Sequence, residues 1–326
     1  MAEKAFSRGL MNICVAVVGL GIAQRTRLQS ALAGHHVEFC AELPEIEKRS
    51  AVTAANVVFG NVPAAWLEAA VGLRWVQLDS AGVDAYLKIN TVARATPVIL
   101  THLCGFFDHA VAEAVLAGVL AFYRQLPRLN LAQPEARWIK TDVEPDIRAL
   151  DGQRVLVLGA GGIARRLERI LGAFDAHVQL FSRTARLGGL STPAELDAAL
   201  SATDLLINTL PHTPETIGLL SRDRLGRLKP GAVVVNAGRG SVLDEAALLE
   251  LIDRGQLGGA VLDVTETEPL PPTSPLWRHP KVLLTQHTGG RFPGEMDRKV
   301  DVFLANVRRF EQGEPLGCQV DPRRGY

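Results

Sequence analysis

Arg239, Glu268 and His287 are the side chains of this 326-residue chain whose types suggest chemistry. Arg239 lies in VVVNAGRGSVLDEAAL, just past an apolar run. Asp263 and Glu268 lie in AVLDVTETEPLPP, and His287 lies in VLLTQHTGG. Each stretch reads as a short β-branched strand that ends in polar residues, where ligands bind in open α/β sheets. A guanidinium can grip a carboxylate and a carbonyl oxygen with two parallel N–H bonds. An imidazole can move a proton near neutral pH, and a carboxylate on its second nitrogen fixes the ring. Taken singly, each has a plain structural reading: a surface ion pair, a solvated glutamate, a satisfied histidine. At one sheet edge they form an anion clamp, a proton donor and an orienting acid.

A proton donor alone reduces nothing; the electrons need a carrier, and the glycine turns suggest where one could bind. Two stretches, VAVVGLGIAQRTRL (15–28) and VLVLGAGGIARRLE (155–168), both read as strand, glycine turn, helix. The second gives Gly159-Ala160-Gly161-Gly162-Ile163-Ala164, a fit to the dinucleotide pattern, with small residues where the turn, the phosphate and the helix need them. Gly159, Gly161, Gly162 and Ile163 are therefore expected against a pyrophosphate at a helix N-terminus. The first copy puts Gln24 where a small residue must pack, so it is expected to be a tight turn that binds no nucleotide. After the next strand stands VQLFSRTAR. Ser182, Arg183 and Thr184, with Arg186 beyond, occupy the place where NAD enzymes carry an acid. An arginine and two hydroxyls suit a 2′-phosphate, so NADP(H) is expected over NAD(H), with NAD(H) still usable.

Around these sites, β-branched runs alternate with helical stretches. Strands are expected at Ile13–Val18, Val37–Cys40, Val57–Gly60, Leu73–Leu78 and Val98–Thr101, with amphipathic stretches at Ala23–Ala33, Pro63–Ala70 and Val83–Val92 between them. A second alternation has strands at Val155–Leu158, Val178–Phe181, Leu205–Thr209, Ala232–Asn236, Ala260–Val264 and Val282–Thr285. Between the two lie a long apolar helix, Phe107–Gln125, and a polar, proline-bearing segment without periodicity. The tail Phe292–Glu311 is helical and too small for a domain. The fold class is α/β with two doubly wound domains. A Rossmann cofactor domain (104–287) is expected inside a flavodoxin-like substrate domain (12–103 and 288–320), after an N-terminal extension (1–11).

The 35 basic and 35 acidic residues balance, so no global field draws in nucleic acid or a membrane surface. The longest apolar stretch, 110–123, contains Glu113 and is too short to cross a bilayer. With no signal-peptide pattern, a cytoplasmic location is expected. Cys14, Cys40, Cys104 and Cys318 lie far apart in sequence and read as reduced thiols, with no metal or redox pair.

The chain resembles the D-isomer-specific 2-hydroxyacid dehydrogenase family, glyoxylate/hydroxypyruvate reductases in particular. VLGAGGIA, LPHTPET, LKPGAVVVNAGRGSVLDEAAL, LDVTETEPLP and LTQHTGG carry the resemblance. It implies hydride reduction of a small 2-keto acid to the D-2-hydroxy acid, with Arg239, Glu268 and His287 as the catalytic set and, from Ser182 and Arg183, NADPH as the reductant. It places Asp263 at the nicotinamide and Leu210, Pro211 and Thr216 in a cofactor-contacting turn. Ala237, Gly238 and Gly289, beside Arg239 and His287, complete the implied cofactor contacts. The loop DSAGVD, through Ser80, Ala81 and Gly82, is implied to take the substrate carboxylate together with Arg239. The resemblance also implies a homodimer through the long helix and the segment after it; the helix is apolar around most of its girth, so that segment is expected to wrap the other subunit and bring Trp138 toward its cleft. No metal is expected. Two departures stand out: Gln286 replaces the family's usual proline, and Ser182-Arg183 replaces the usual acid. The alternatives are an NAD-dependent dehydrogenase of a bulkier acid such as 3-phosphoglycerate, and a non-catalytic dinucleotide sensor.

Overall fold

In the computed structural model, residues 9–89, 97–184 and 189–321 are described. Two compact units emerge, Met1–Phe106 with Phe292–Tyr326, and Phe107–Arg291.

In the first unit β1 (Asn12–Val15), β2 (His36–Phe39), β3 (Val57–Phe59), β4 (Trp75–Gln77) and β5 (Ile99–Thr101) pair in parallel in the order β2-β1-β3-β4-β5. The crossovers include α1 (Ile22–Ala31), α2 (Glu45–Thr53) and α3 (Ala64–Ala69). β3 and β4 are buried on both faces; β3 is apolar throughout, and β4 ends in the buried Gln77, whose Oε1 accepts from the Thr101 hydroxyl and Asn306 Nδ2. Helix α2 is not among the stretches named from the sequence: EIEKRSAVT carries four charged residues in nine and buries Ala51 and Val52. Conversely, the stretch expected over Val83–Val92 forms one 3₁₀ turn, Asp84–Tyr86, and residues 90–92 lie outside the described residues.

The second unit opens with α4 (Asp108–Tyr123), then α5 (Leu126–Ala132) and α6 (Lys140–Val143). The segment expected to lack periodicity thus holds short helical pieces. Next come β6 (Arg154–Leu158), α7 (Gly162–Gly172), β7 (His177–Phe181), α8 (Pro193–Leu200) and β8 (Leu205–Asn208). The unit closes with α9 (Arg222–Gly226), β9 (Ala232–Asn236), α10 (Glu245–Asp253), β10 (Leu257–Leu262) and β11 (Val282–Leu284). All six strands are parallel, in the order β11-β10-β9-β8-β6-β7. The order reverses between β6 and β8, so the crevice for a ligand opens at their carboxyl ends. α4 buries Val111, Val115, Val119 and Tyr123 against the β6 side of this core.

The chain returns to the first unit as α11 (Glu295–Gln312), whose Phe303 stacks on Phe59 at 4.2 Å and on Trp75 at 5.3 Å. The residues that leave and re-enter this unit, Phe106 and Phe292, have ring centroids 5.4 Å apart.

The cysteines correct the sequence reading. Cys104 and Cys318 form a disulfide across 214 residues of sequence. The C-terminal segment brings them together by lying along β5: Thr101 bridges Gln319, and the Val320 amide donates to Leu100 O at 2.8 Å. Cys14 and Cys40 remain free, buried thiols as expected, in hydrogen-bond contact with their sulfurs 2.8 Å apart, because β1 and β2 are neighbours.

Among the described residues no helix is long and apolar enough to cross a membrane, and no cluster of three metal-ligating side chains occurs.

Candidate active site

β9 ends at Asn236, and the chain then turns through Ala237 and Gly238 to Arg239. Two buried asparagines hold this turn. Asn208 donates to Asn236 Oδ1 at 2.9 Å, and Asn236 Nδ2 donates to Arg239 O at 3.1 Å. The Ala237 amide donates to Asn208 O and the Gly238 amide to Asn236 Oδ1, while Arg239 Nη1 reaches back to Gly238 O at 2.8 Å. Gly240 allows the loop after β10 to abut this turn: a Cβ there would lie 2.0 Å from the Thr265 carbonyl.

That loop carries Glu268. Its Oε1 accepts the Thr265 N–H at 3.0 Å, and its Oε2 lies 2.7 Å from His287 Nδ1. With Nδ1 engaged, Nε2 is the ring atom for proton transfer. The His287 side chain is half exposed, so a small molecule can reach it. Glu245, the first residue of α10, accepts the Glu266 N–H at 2.6 Å and so ties the same loop down. Burial pushes the Glu245 carboxyl up against the pull of that amide, and the Glu266 and Glu268 carboxylates add to the rise.

Asp263, one residue past β10, holds the turn that presents His287. Its carbonyl accepts the His287 N–H at 2.6 Å. Its Oδ1 accepts the Thr285 hydroxyl at 2.5 Å and the Thr288 and Gly289 amides at 3.1 and 3.2 Å. Gln286 and His287 both adopt left-handed backbone, with φ 53° and 56°. Proline cannot reach that φ, so this loop is built differently from one with the family's usual residue.

At the glycine turn, Gly159 has φ 120°, a conformation open to glycine, and its amide is held by Phe181 O at 2.8 Å. Gly161 caps α7 in extended conformation with no side chain on the helix end, and Gly162 and Ile163 begin the helix. The first-turn amides are thus left for a ligand, which fits the pyrophosphate of a dinucleotide. Beyond β7, Ser182 Oγ donates to Thr184 O at 2.8 Å. Arg183 lies near Glu215, whose carboxyl is lowered by the Thr213 hydroxyl, its own amide and then Arg183. Arg186 lies outside the described residues. Leu210, Pro211 and Thr216 form the turn after β8: the Leu210 amide donates to Asn208 Oδ1, and Thr216 Oγ1 to Pro211 O at 2.6 Å.

In the first unit, Ser80, Ala81 and Gly82 follow β4. Leu103 N donates to Ser80 O at 2.9 Å, and His102 Nδ1 lies 2.8 Å from Ala81 O. The first glycine turn opens α1, where Gln24 donates to Asp297 at 2.8 Å and Arg27 pairs with Asp301. In this structure the turn serves to seat α1 against α11.

Asn208, Asn236 and Glu245 escaped the sequence reading. The signal was present for the first two: LLIN and AVVVN are wholly buried strands that each end in an amide.

A six-stranded parallel sheet with an uncapped glycine turn at its reversal point is the scaffold of a dinucleotide-dependent oxidoreductase. A family model for "D-isomer specific 2-hydroxyacid dehydrogenase, NAD binding domain" matches residues 116–289. The chain is 38% identical over 264 residues to glyoxylate/hydroxypyruvate reductase A of Salmonella paratyphi C, covering 78% of this chain and 82% of that protein. With the enzyme of that name from Serratia proteamaculans it shares 34% over the same coverage. Among solved structures it resembles a D-isomer specific 2-hydroxyacid dehydrogenase from Xanthobacter autotrophicus, in complex with NADPH, at TM-score 0.77 and 30% identity, covering 98% of this chain and all of that one. It also resembles an NADPH-dependent glyoxylate/hydroxypyruvate reductase from Sinorhizobium meliloti, in complex with NADP and sulfate, at TM-score 0.79 and 28% identity, covering 96% and 99%. The chain belongs to the D-isomer specific 2-hydroxyacid dehydrogenase family, and it is an enzyme.

Proposed function

We propose that this chain reduces a small 2-keto acid of the glyoxylate or hydroxypyruvate type to the D-2-hydroxy acid, with NADPH as the preferred reductant. The observation that carries the reading is the 2.7 Å pair of His287 Nδ1 and Glu268 Oε2, at the same sheet edge as Arg239. When bound, the nicotinamide supplies a hydride to the carbonyl carbon. Arg239 grips the substrate carboxylate and carbonyl oxygen with its planar fork. The backbone N–H groups of Ser80, Ala81 and Gly82 share that carboxylate, as the family resemblance implies. His287 Nε2 delivers the proton to the oxygen on which charge develops, and Glu268 keeps the ring aimed. The α7 amides at Gly161, Gly162 and Ile163 take the pyrophosphate, and Asp263 takes the carboxamide. The turn Leu210, Pro211 and Thr216, with Ala237, Gly238 and Gly289, lines the rest.

NADP(H) is favoured because Ser182, Arg183 and Thr184 offer donors and no carboxylate to the 2′-phosphate. The relatives from Sinorhizobium and Xanthobacter, solved in complex with NADP and NADPH, support this, and NAD(H) is the weaker substitute. The assembly is a homodimer. Trp138 is 92% exposed and Leu131 71%, with Leu126 and Leu129 beside them, an apolar surface that a second copy would bury.

The test is kcat/KM over a panel of 2-keto acids with both cofactors, repeated with Arg183→Ala. NADPH should win by at least tenfold in the wild type, and the advantage should collapse in the variant. Equal use of NADH by the wild type rejects the cofactor assignment, and no turnover of any keto acid rejects the activity.

A further inference from the structure

An acid stands beside the helix end that would hold the diphosphate. Asp108 opens α4, and its carboxylate rests against Gly162, the first residue of α7. A Cβ built on Gly162 would lie 1.5 Å from Asp108 Oδ2 and 2.4 Å from Cγ. Both residues line a cavity of about 470 Å³ together with Ala160, Arg165, Arg166 and Arg169. The carboxylate stands alongside the first turn of α7, close enough for its charge to be felt by a phosphate held on the amides there. The groups facing it are Arg166, across from α4 on α7, and His109, beside it on its own helix. Burial pushes the Asp108 carboxyl up, and these two cations pull it back. The reaction outlined above has no use for this acid.

We propose that Asp108 sets the affinity of the cofactor site: a carboxylate beside the N-terminus of α7 whose charge opposes the dinucleotide's diphosphate and keeps the cofactor loosely held. The proposal rests on the dinucleotide reading given above. A diphosphate drawn to the α7 amides brings like charge up to Asp108, and like charges a few ångströms apart disfavour each other. Gly162 makes the arrangement possible, because any side chain there would expel the carboxylate. Loose holding suits a reductase that exchanges its nucleotide at every turnover.

The test is the dissociation constant of NADPH, read by nucleotide fluorescence, for the wild type, Asp108→Asn and Asp108→Ser. The asparagine keeps the shape and removes the charge, and the serine keeps a polar residue at the start of α4. At low salt both variants should bind NADPH about tenfold more tightly. The gap should narrow in ~0.5 M KCl, where charge is screened, whereas a purely steric effect would not respond to salt. Adenosine 2′-monophosphate, which lacks the diphosphate, should bind all three proteins alike. Unchanged or weaker NADPH binding in both variants overturns the proposal, as does equal tightening for the monophosphate. A wild type that binds no dinucleotide brings down the underlying reading as well, a result visible before any variant is compared.

Discussion

Asp263 grips the loop of His287 from two sides, its carbonyl on the His287 amide and its carboxylate on the Thr285 hydroxyl and the amides of Thr288 and Gly289. Asp263→Ala leaves those donors without their acceptor, at a cost of roughly 1–3 kcal/mol in stability. A displaced imidazole should lower kcat by up to ~10²-fold, since misplacement by about 1 Å is enough for that. Asp263→Asn keeps one oxygen and should recover part of the rate. If the only change is weaker NADPH binding, Asp263 serves the nicotinamide alone.

The proton donor can be tested directly. His287→Ala should cost ~10²–10⁴-fold in reduction while NADPH still binds, because general acid catalysis is typically of that size. Retention of the rate within a few-fold would send the search to His102 or His109.

The left-handed Gln286 gives an unusual prediction. Gln286→Gly should keep the fold and the activity, since glycine reaches φ 53° without strain. Gln286→Pro should lower both the melting temperature and kcat, because its ring holds φ near about −65°. A proline variant as stable and active as the wild type would show that the loop is not left-handed in solution.

Glu245 predicts a pH dependence. Its folded pKa lies above the unfolded value near 4.5, so the folded chain holds this proton more tightly. The resulting stability is fully present below pH 4.5 and is lost as pH rises through the folded value. Glu245→Gln should remove that loss, so that denaturation midpoints measured from about pH 4 to 8 decline less steeply than in the wild type. Parallel pH curves for the two proteins would refute it.

Assembly is the last test. Sedimentation at micromolar concentration should give twice the chain mass, and Trp138→Ala should raise KM for the larger keto acids while sparing glyoxylate. A monomer under those conditions rejects the dimer. An unchanged substrate profile leaves Trp138 a structural residue.

Much of the scaffold was legible because strand formation here is local. The β-branched runs at 57–59, 155–158 and 232–236 become strands within a residue of the expected ends, and the glycine turn falls where a strand hands over to a helix. The Arg239, Glu268 and His287 stretches could be read because each ends a strand. What stayed hidden depends on neighbours distant in sequence. The spacing of Cys104 and Cys318 says nothing about the C-terminal segment lying along β5. Helix α2 lacks a wide apolar stripe, so periodicity passed over it. Asn208 and Asn236 look like ordinary strand ends until the two strands are set side by side.

The 5.4 Å between the Phe106 and Phe292 rings bears on how such an enzyme could arise. The chain leaves and rejoins its first unit at neighbouring points, so the sheet of that unit is spliced open without being spread apart. A gene for residues 107–291 could enter a surface loop of a free-standing host and leave the host's strand register untouched. The reverse operation follows: a polypeptide with residue 106 joined to residue 292 by a few glycines should fold unaided, a host without its guest.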